Sequence, residues 1–385
     1  MNLKHQKHLF SIPEDVTYLN IASQSPSFKA VEQAGIDGIL EKSQPYKITT
    51  SNYFEPVIEL KKLFSKLIDN DDYNRVANIP SASYGIATAA NNITLEKDDE
   101  IILIDEQFPS NYYAWEKLAK KYDAKLKIVK QPETKENRGA LWNTDLLNAI
   151  TKKAAVISIG NIHWANGTLF DLKKVSKKAK EHHALLIIDG SQSIGALPFS
   201  VKEIQPDALI CAGYKWLFGP YGCSYAYFGD YFDNGTPLEE NWSNRLNSED
   251  FSRLTSYEPR YKPLANRYST GEHASFIYVK MQIAALKQVL SWTPLAIQEY
   301  CKEITQDTVK ALKKLGCNIE TQNNRAHHLF GVELPKNLDI ELLKQKLKEE
   351  NVFISFRGNY IRLSCHLFNT KDDFTKLTNC IMSCL

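Results

Sequence analysis

Two charged side chains stand where charge is costly. In "ALICAGYKWLFGPYG" Lys215 follows a short apolar run, between Tyr214 and Trp216 and ahead of a Gly-Pro turn. In "ALLIIDGSQSIG" another apolar run ends in Asp189. Taken singly, Lys215 reads as a lysine with a buried stem and a wet head, and Asp189 as the cap of a turn. Taken together they suggest chemistry. A lysine removed from water loses its proton readily and becomes a nucleophilic amine that forms a Schiff base with an aldehyde. A carboxylate at a buried strand end needs a partner, and a protonated ring nitrogen is one.

Pyridoxal 5′-phosphate asks for that pair: an amine for its aldehyde and an acid for its pyridine nitrogen. Its other needs are also met by candidates. The phosphate wants backbone N–H groups at a helix start, and "PSASYGIATAANNI" offers small and hydroxyl residues before a helical pattern, with Ser83 as cap and ligand. The ring wants a flat cover, and Phe108 follows the run "IILID". A substrate carboxylate wants a planar, bidentate cation, and Arg357 in "SFRGNY" and Arg362 in "YIRLS" qualify. Lys215 and Asp189 are thus the candidate catalytic residues.

These residues need elements to position them. Apolar runs alternate with amphipathic stretches between about residues 75 and 230. "EIILID", "AKLKIV", "AAVISIG", "ALLIID" and "DALICAG" read as strands; "NYYAWEKLAKKY", "NTDLLNAITKK" and "DLKKVSKKAKEHH" read as helices. Uninterrupted apolar strands between helices imply a mostly parallel sheet covered on both faces, with ligands outside the carboxyl ends of the strands. Two long helical patterns follow, "ASFIYVKMQIAALKQVLSW" and "PLAIQEYCKEITQDTVKALKKLG". Strands "HHLFGVEL", "NVFISF" and "YIRLSCHL" come next, with helices "DIELLKQKLKEE" and "TKDDFTKLTNCIMSC". The expected organisation is a large α/β domain over residues 15–250 and a small C-terminal α+β domain over 251–385, with residues 1–14 packing on the latter.

Bulk properties exclude some classes. The 385 residues carry 47 basic and 45 acidic side chains, and a net charge of +2 provides no field for nucleic acid or an anionic membrane surface. No apolar stretch is long enough to span a bilayer, and the start lacks a signal-peptide core. Seven irregularly spaced cysteines suggest free thiols in the cytoplasm. No CxxC or HExxH occurs, and the adjacent pairs His182–His183 and His327–His328 are poorly spaced for a metal, so no metal site is expected.

The stretches "IIDGSQSIGALPFSV" and "PDALICAGYKWLFGPYG" resemble the signature of the class V, fold-type I aminotransferase family, which includes cysteine desulfurases, kynureninases and isopenicillin N epimerase-like proteins. The pattern is Asp189, Gln192 three residues on, then Lys215 before "GPYG". Similarity extends to "YLNIASQSPS", "EQFPSNYYAW", "RYSTGEHASF" and "IRLSCHLFNTKDDFTKL". The resemblance implies that Lys215 holds the cofactor and moves the Cα proton, and that Asp189 pairs with the pyridine nitrogen. It implies that Gln192 binds the phenolic oxygen and Phe108 stacks on the ring. Ala82 and Ser83 would bind phosphate with help from Tyr214. Trp164 would stand near the ring, where some members carry Asn. Arg362 would take the substrate carboxylate, with Arg357 on the substrate side. The site would lie between the domains at a homodimer interface.

Two departures bear on the reaction. Desulfurases of this type carry a reactive cysteine between the two arginine segments, whereas here the stretch is "RGNYIR", and Cys365 beyond it reads as packing. Glu272 replaces the family's Thr after the interdomain Gly. The expected function is therefore a pyridoxal phosphate enzyme acting on an amino acid, aminotransferase-like. A lyase of desulfurase or kynureninase type, or an epimerase, is the alternative, and a non-catalytic relative is a third. Arg245, Arg253, Tyr257 and Arg260 lie in a long loop, where water rather than substrate is the expected partner of any one of them.

Overall fold

A computed structural model describes residues 3–357 and 360–385. The alternating pattern folds in chain order as β1 (Thr17–Tyr18), α1 (Lys29–Lys42), α2 (Thr50–Leu67), β2 (Val76–Ile79), α3 (Ala82–Asn91), β3 (Glu100–Ile104), α4 (Tyr113–Tyr122), β4 (Lys125–Val129), α5 (Arg138–Ala149) and β5 (Ala154–Gly160). There follow α6 (Leu172–Glu181), β6 (Leu185–Asp189), α7 (Val201–Ile204), β7 (Ala208–Ala212) and β8 (Ser224–Phe228). The C-terminal part holds α8 (Tyr278–Trp292), α9 (Pro294–Lys314), β9 (Leu329–Glu333), α10 (Ile340–Glu349), β10 (Val352–Phe353), β11 (Ser355–Arg357), β12 (Tyr360–Ser364) and α11 (Lys371–Met382).

Seven strands form the central sheet in the order β2-β8-β7-β6-β5-β3-β4. β7, β6, β5, β3 and β4 pair in parallel, and β8 runs antiparallel to both β7 and β2. Two reversals restore direction, so β2 also ends at the edge where the parallel strands end. β7 reads "ALICA" and is buried at every position, because helices cover both faces. α6 shows the complementary pattern. It buries Leu172, Val175, Ser176 and Ala179, a single stripe, and turns its lysines to water; the Asp171 side chain caps it by accepting the Lys174 N–H at 3.1 Å.

A three-stranded antiparallel sheet, β11-β12-β9, forms the second layer system. The N-terminal segment reaches it: β1 pairs with β10, and the Gln6 N–H donates to Leu367 O at 2.7 Å. α8 packs along α1 and α2.

Some boundaries differ from expectation. The "NVFISF" strand divides after Phe353, because its first half pairs with β1 and its second with β12. α5 starts at Arg138, five residues before "NTDLLNAITKK", with Asn137 in the left-handed region at φ 49° ahead of it. α8 starts at Tyr278 rather than Ala274, where Ser275 Oγ takes the Tyr278 N–H at 3.2 Å. β2 and β8 are absent from the sequence reading; β8 pairs with β7, and β2 lies beyond β8 at the edge of the sheet. Gly358 and Asn359, within the cysteine-free "RGNYIR", lie outside the described residues.

Candidate active site

The edge where β2, β3, β5, β6 and β7 end is the topological place for a ligand. Each of these strands delivers a residue of interest in the loop that follows: α3 with Ala82 and Ser83 after β2, Phe108 after β3, Trp164 after β5, Asp189 at the end of β6, Lys215 after β7.

The loop carrying Lys215 is closed on itself. Gly213 donates to Cys223 O at 3.0 Å, Gly219 to Gly213 O at 2.8 Å, and Phe218 adopts φ 55° between them. A side chain on Gly213 would meet Cys223 O at 2.5 Å, so the tight return requires glycine. Lys215 is 7% exposed. Its Nζ lies 5.5 Å from the Phe108 ring centre and 5.6 Å from that of Tyr214. It makes no hydrogen bond or ion pair among the described residues. Burial brings its amine down to about 8; Asp189 opposes this, and the positive charges of Arg362 and Arg357 add to it.

Asp189 accepts the Ser191 N–H at 3.0 Å on one oxygen, and its other oxygen is free among the described residues. Gln192 is buried and fixed: its amide donates to Ala22 O at 3.1 Å, and its oxygen accepts the Trp216 indole N–H at 3.0 Å. One amide hydrogen is left for another acceptor. The Gln192 backbone is held too. His328 Nε2 lies 2.8 Å from Gln192 O and its Nδ1 lies 2.6 Å from the Gln298 amide nitrogen. A carbonyl only accepts, so Nε2 carries the proton and Nδ1 accepts; burial holds this ring neutral, with its pKa down to about 4.

At the start of α3 the cap is Ser81, not Ser83: Ser81 Oγ accepts the Tyr84 N–H at 3.1 Å. Ser83 falls in the first turn, exposed, with its hydroxyl 2.9 Å from that of Ser81. The N–H groups of Ala82 and Ser83 have no acceptor among the described residues and face the edge. Gly85 lets α3 settle here, since a Cβ would lie 2.7 Å from Ile79 Cδ1 and 2.9 Å from Ile210 Cγ1. Tyr214 accepts the Ser25 N–H and hydroxyl on its carbonyl, both at 3.1 Å, and its ring leans on Tyr221 at 4.6 Å.

On the other side, Trp164 donates its indole N–H to Glu106 O at 2.7 Å and meets Phe108 edge-on at 5.4 Å. Arg362, 2% exposed, donates to Trp164 O at 3.1 Å and to Ser23 Oγ at 2.6 Å. Burial lowers Arg362 to about 10, with the like charge of Arg357 adding. Arg357 lies over the Trp164 ring at 5.7 Å. The structure therefore gathers Lys215, Asp189, Gln192, Phe108, Tyr214, Trp164, Arg357 and Arg362 at one edge. It holds Arg245 and Arg260 elsewhere, on Glu240 and Glu258 of their own loop, and leaves Glu272 exposed with φ 56°. Ser23 was not singled out from sequence, and His328 entered only as half of an adjacent pair weighed for a metal, with no sign of its contact to Gln192. Ser23 stands in "YLNIASQSPS", so the resemblance of that segment was the available signal.

The donor set fits pyridoxal phosphate. It has an unpartnered buried amine, a carboxylate oxygen without a donor, and a helix start with two open N–H groups. A family model described as aminotransferase class-V matches residues 48–375. An uncharacterized aminotransferase of Bacillus subtilis is 24% identical over 371 residues, covering 95% of this chain and 94% of that one. Hercynylcysteine sulfoxide lyase of Schizosaccharomyces pombe is 25% identical over 389 residues, covering 96% and 94%. The apo structure of a cysteine desulfurase from Thermococcus onnurineus superposes with a TM-score of 0.84 at 16% identity, over 99% of this chain and 98% of that one.

Proposed function

The chain belongs to the aminotransferase class-V family, and we propose on that premise that it is a pyridoxal phosphate enzyme acting on an amino acid, aminotransferase-like, with Lys215 as the reactive amine. The observation that carries the reading is the Nζ of the largely buried Lys215, free of any acceptor among the described residues and set beside Phe108, Tyr214 and Asp189. Bound pyridoxal phosphate supplies an aldehyde to an amine and a ring that takes up the electron pair left when a bond to a substrate Cα breaks.

The chain's own residues do the rest. Ala82 and Ser83 offer N–H groups to the phosphate, and the first turn of a helix favours the negative charge. The free oxygen of Asp189 accepts a proton-bearing ring nitrogen. Gln192 offers its remaining N–H, and its anchoring by Trp216 and Ala22 keeps that group aimed. Phe108 and Trp164, packed edge to face, offer aromatic surface on one flank. Arg362 takes the substrate carboxylate and so fixes which Cα bond faces Lys215. Lys215, whose proton burial loosens, takes the Cα proton. The atom to which it returns that proton separates amino-group transfer from epimerisation.

The lyase alternative is supported by the relatives named as lyase and desulfurase. Thiol chemistry of desulfurase type finds less support in the chain. Of seven free cysteines six are buried, Cys365 among them, and burial pushes the half-buried Cys223 up to about 12. No described helix is long and apolar enough to cross a membrane. The free thiols support a reducing compartment such as the cytoplasm. Exposed Ile36, Ile39 and Leu40 on α1, with Trp242 and Tyr257, support a homodimer.

The test is the visible spectrum of the purified protein before and after borohydride, with peptide mapping, followed by an amino-acid panel with and without a 2-oxo acid acceptor. A reducible band on Lys215, absent in Lys215→Ala, with amino transfer to the acceptor, is expected. Release of alanine from cysteine or kynurenine selects the lyase instead, and full turnover by Lys215→Ala refutes the mechanism.

A further inference from the structure

β11 and β12 turn two arginines to one face. In their antiparallel register Ser355 lies opposite Arg362, and Arg357 lies opposite Tyr360. Residues directly opposed share a face, and a step of two along a strand keeps it, so Arg357 and Arg362 are diagonal neighbours on the same side. Like charges so placed repel: both arginines lower Lys215, and Arg357 lowers Arg362.

Protein acids do not neutralise them. Neither arginine has a carboxylate within 4.0 Å among the described residues. Arg362 donates only to the uncharged Trp164 O and Ser23 Oγ, and Arg357 only to Phe356 O at 2.8 Å. The Nε of each is buried without a partner. A guanidinium has five donors in a fixed fork suited to an oxyanion, and leaving them unpaired out of water is expensive. Trp164 has the half-buried Arg357 over its ring at 5.7 Å, a contact that holds the second fork beside the site. The substrate carboxylate assigned to Arg362 satisfies one cation and leaves Arg357 without an anion.

We infer that the substrate is an amino acid whose side chain carries a second anionic group, a carboxylate or similar oxyanion, held by Arg357 while Arg362 holds the α-carboxylate. This rests on the pyridoxal phosphate reading and narrows it to acidic amino acids. Trp164 is then a positioning residue for Arg357.

Non-reacting acids test the inference apart from turnover. The holoenzyme is titrated by calorimetry, at constant ionic strength, with glutarate, succinate and butyrate. The dicarboxylates should bind about tenfold or more tightly than butyrate, the usual order for a charge-assisted pair. Arg357→Gln should bring glutarate down to the level of butyrate and leave butyrate unchanged, and Arg357→Lys should restore part of the difference. Equal binding of mono- and dicarboxylates by the native protein overturns the inference. So does an Arg357→Gln variant that weakens both classes alike, because both arginines would then grip one carboxylate. The borohydride-reducible band, read on the same samples, reports the underlying reading separately. A band without discrimination refutes the second anion alone, and discrimination without a band refutes the cofactor reading alone.

Discussion

The Lys215 amine offers a quantitative test. Bringing a lysine from 10.5 to about 8 corresponds to about 3 kcal/mol against its charged form. At pH 7.5 roughly a quarter of the chains then carry a neutral amine, against about one in a thousand for an ordinary lysine. In cofactor-free protein, the rate of capture of added pyridoxal phosphate should therefore rise with pH to a midpoint near 8 and then level. Arg362→Gln should move that midpoint upward, since a nearby positive charge is removed. Stability provides a second readout. Between about pH 8 and 10.5 the unfolded chain holds a proton that the folded chain has released, so stability rises with pH across that window. Below pH 8 the full cost is present. With both proteins free of cofactor, Lys215→Met should accordingly unfold at higher urea than the unsubstituted chain below pH 8, by up to about 3 kcal/mol, with the gap closing between 8 and 10.5. A capture rate that climbs without levelling to pH 10, together with a pH-independent effect of Lys215→Met, would refute the argument that burial sets this amine.

A second buried lysine behaves alike. Lys61, 4% exposed and donating to Asn266 Oδ1 at 2.8 Å, is held down to about 7 by burial and then by Lys262. Lys61→Met should stabilise the protein below pH 7 and lose that advantage between 7 and 10.5, as read by urea unfolding at pH 6 and pH 10. Gly195 has φ 101°, and a Cβ there would lie 2.4 Å from Trp216 O; Gly195→Ala should cost about 1–3 kcal/mol and shift the Lys215 capture midpoint, because Trp216 adjoins Lys215. Trp216→Phe removes the donor to Gln192 and should cost about 1–3 kcal/mol by leaving a buried acceptor unmet, measured by thermal unfolding with the visible band as the folded control.

Much of the sheet was legible because its strands are buried on both faces. "AAVISIG" reads as a strand and is β5 over its full length, Ala154–Gly160. Helices were legible where one stripe is apolar, as in α6, and misplaced where the start depends on local geometry, a left-handed Asn137 before α5 and the Ser275 hydroxyl on the Tyr278 N–H before α8. β8 pairs antiparallel between β2 and β7, and neither its partners nor the reversal it imposes on β2 is written in its five residues.

In the site, Lys215 and Asp189 stood out because each puts a charge at the end of an apolar run. That is a local contradiction, and a linear sequence records local contradictions. The residues that make those charges useful are not local. Ser23 meets Arg362 across 339 positions, and His328 meets Gln192 across 136. The amine of Lys215 is set by burial against Phe108 and Tyr214 and by charges at positions 189, 357 and 362. The sequence alone determined which side chains are candidates for the chemistry and which elements bear them, since periodicity and chemical type are properties of neighbouring residues. Tertiary structure alone decided that Arg357 and Arg362 share a face, that Ser81 rather than Ser83 caps α3, and how far the Lys215 proton is loosened. Register, capping geometry and electrostatic environment depend on distances in space, which chain order does not contain.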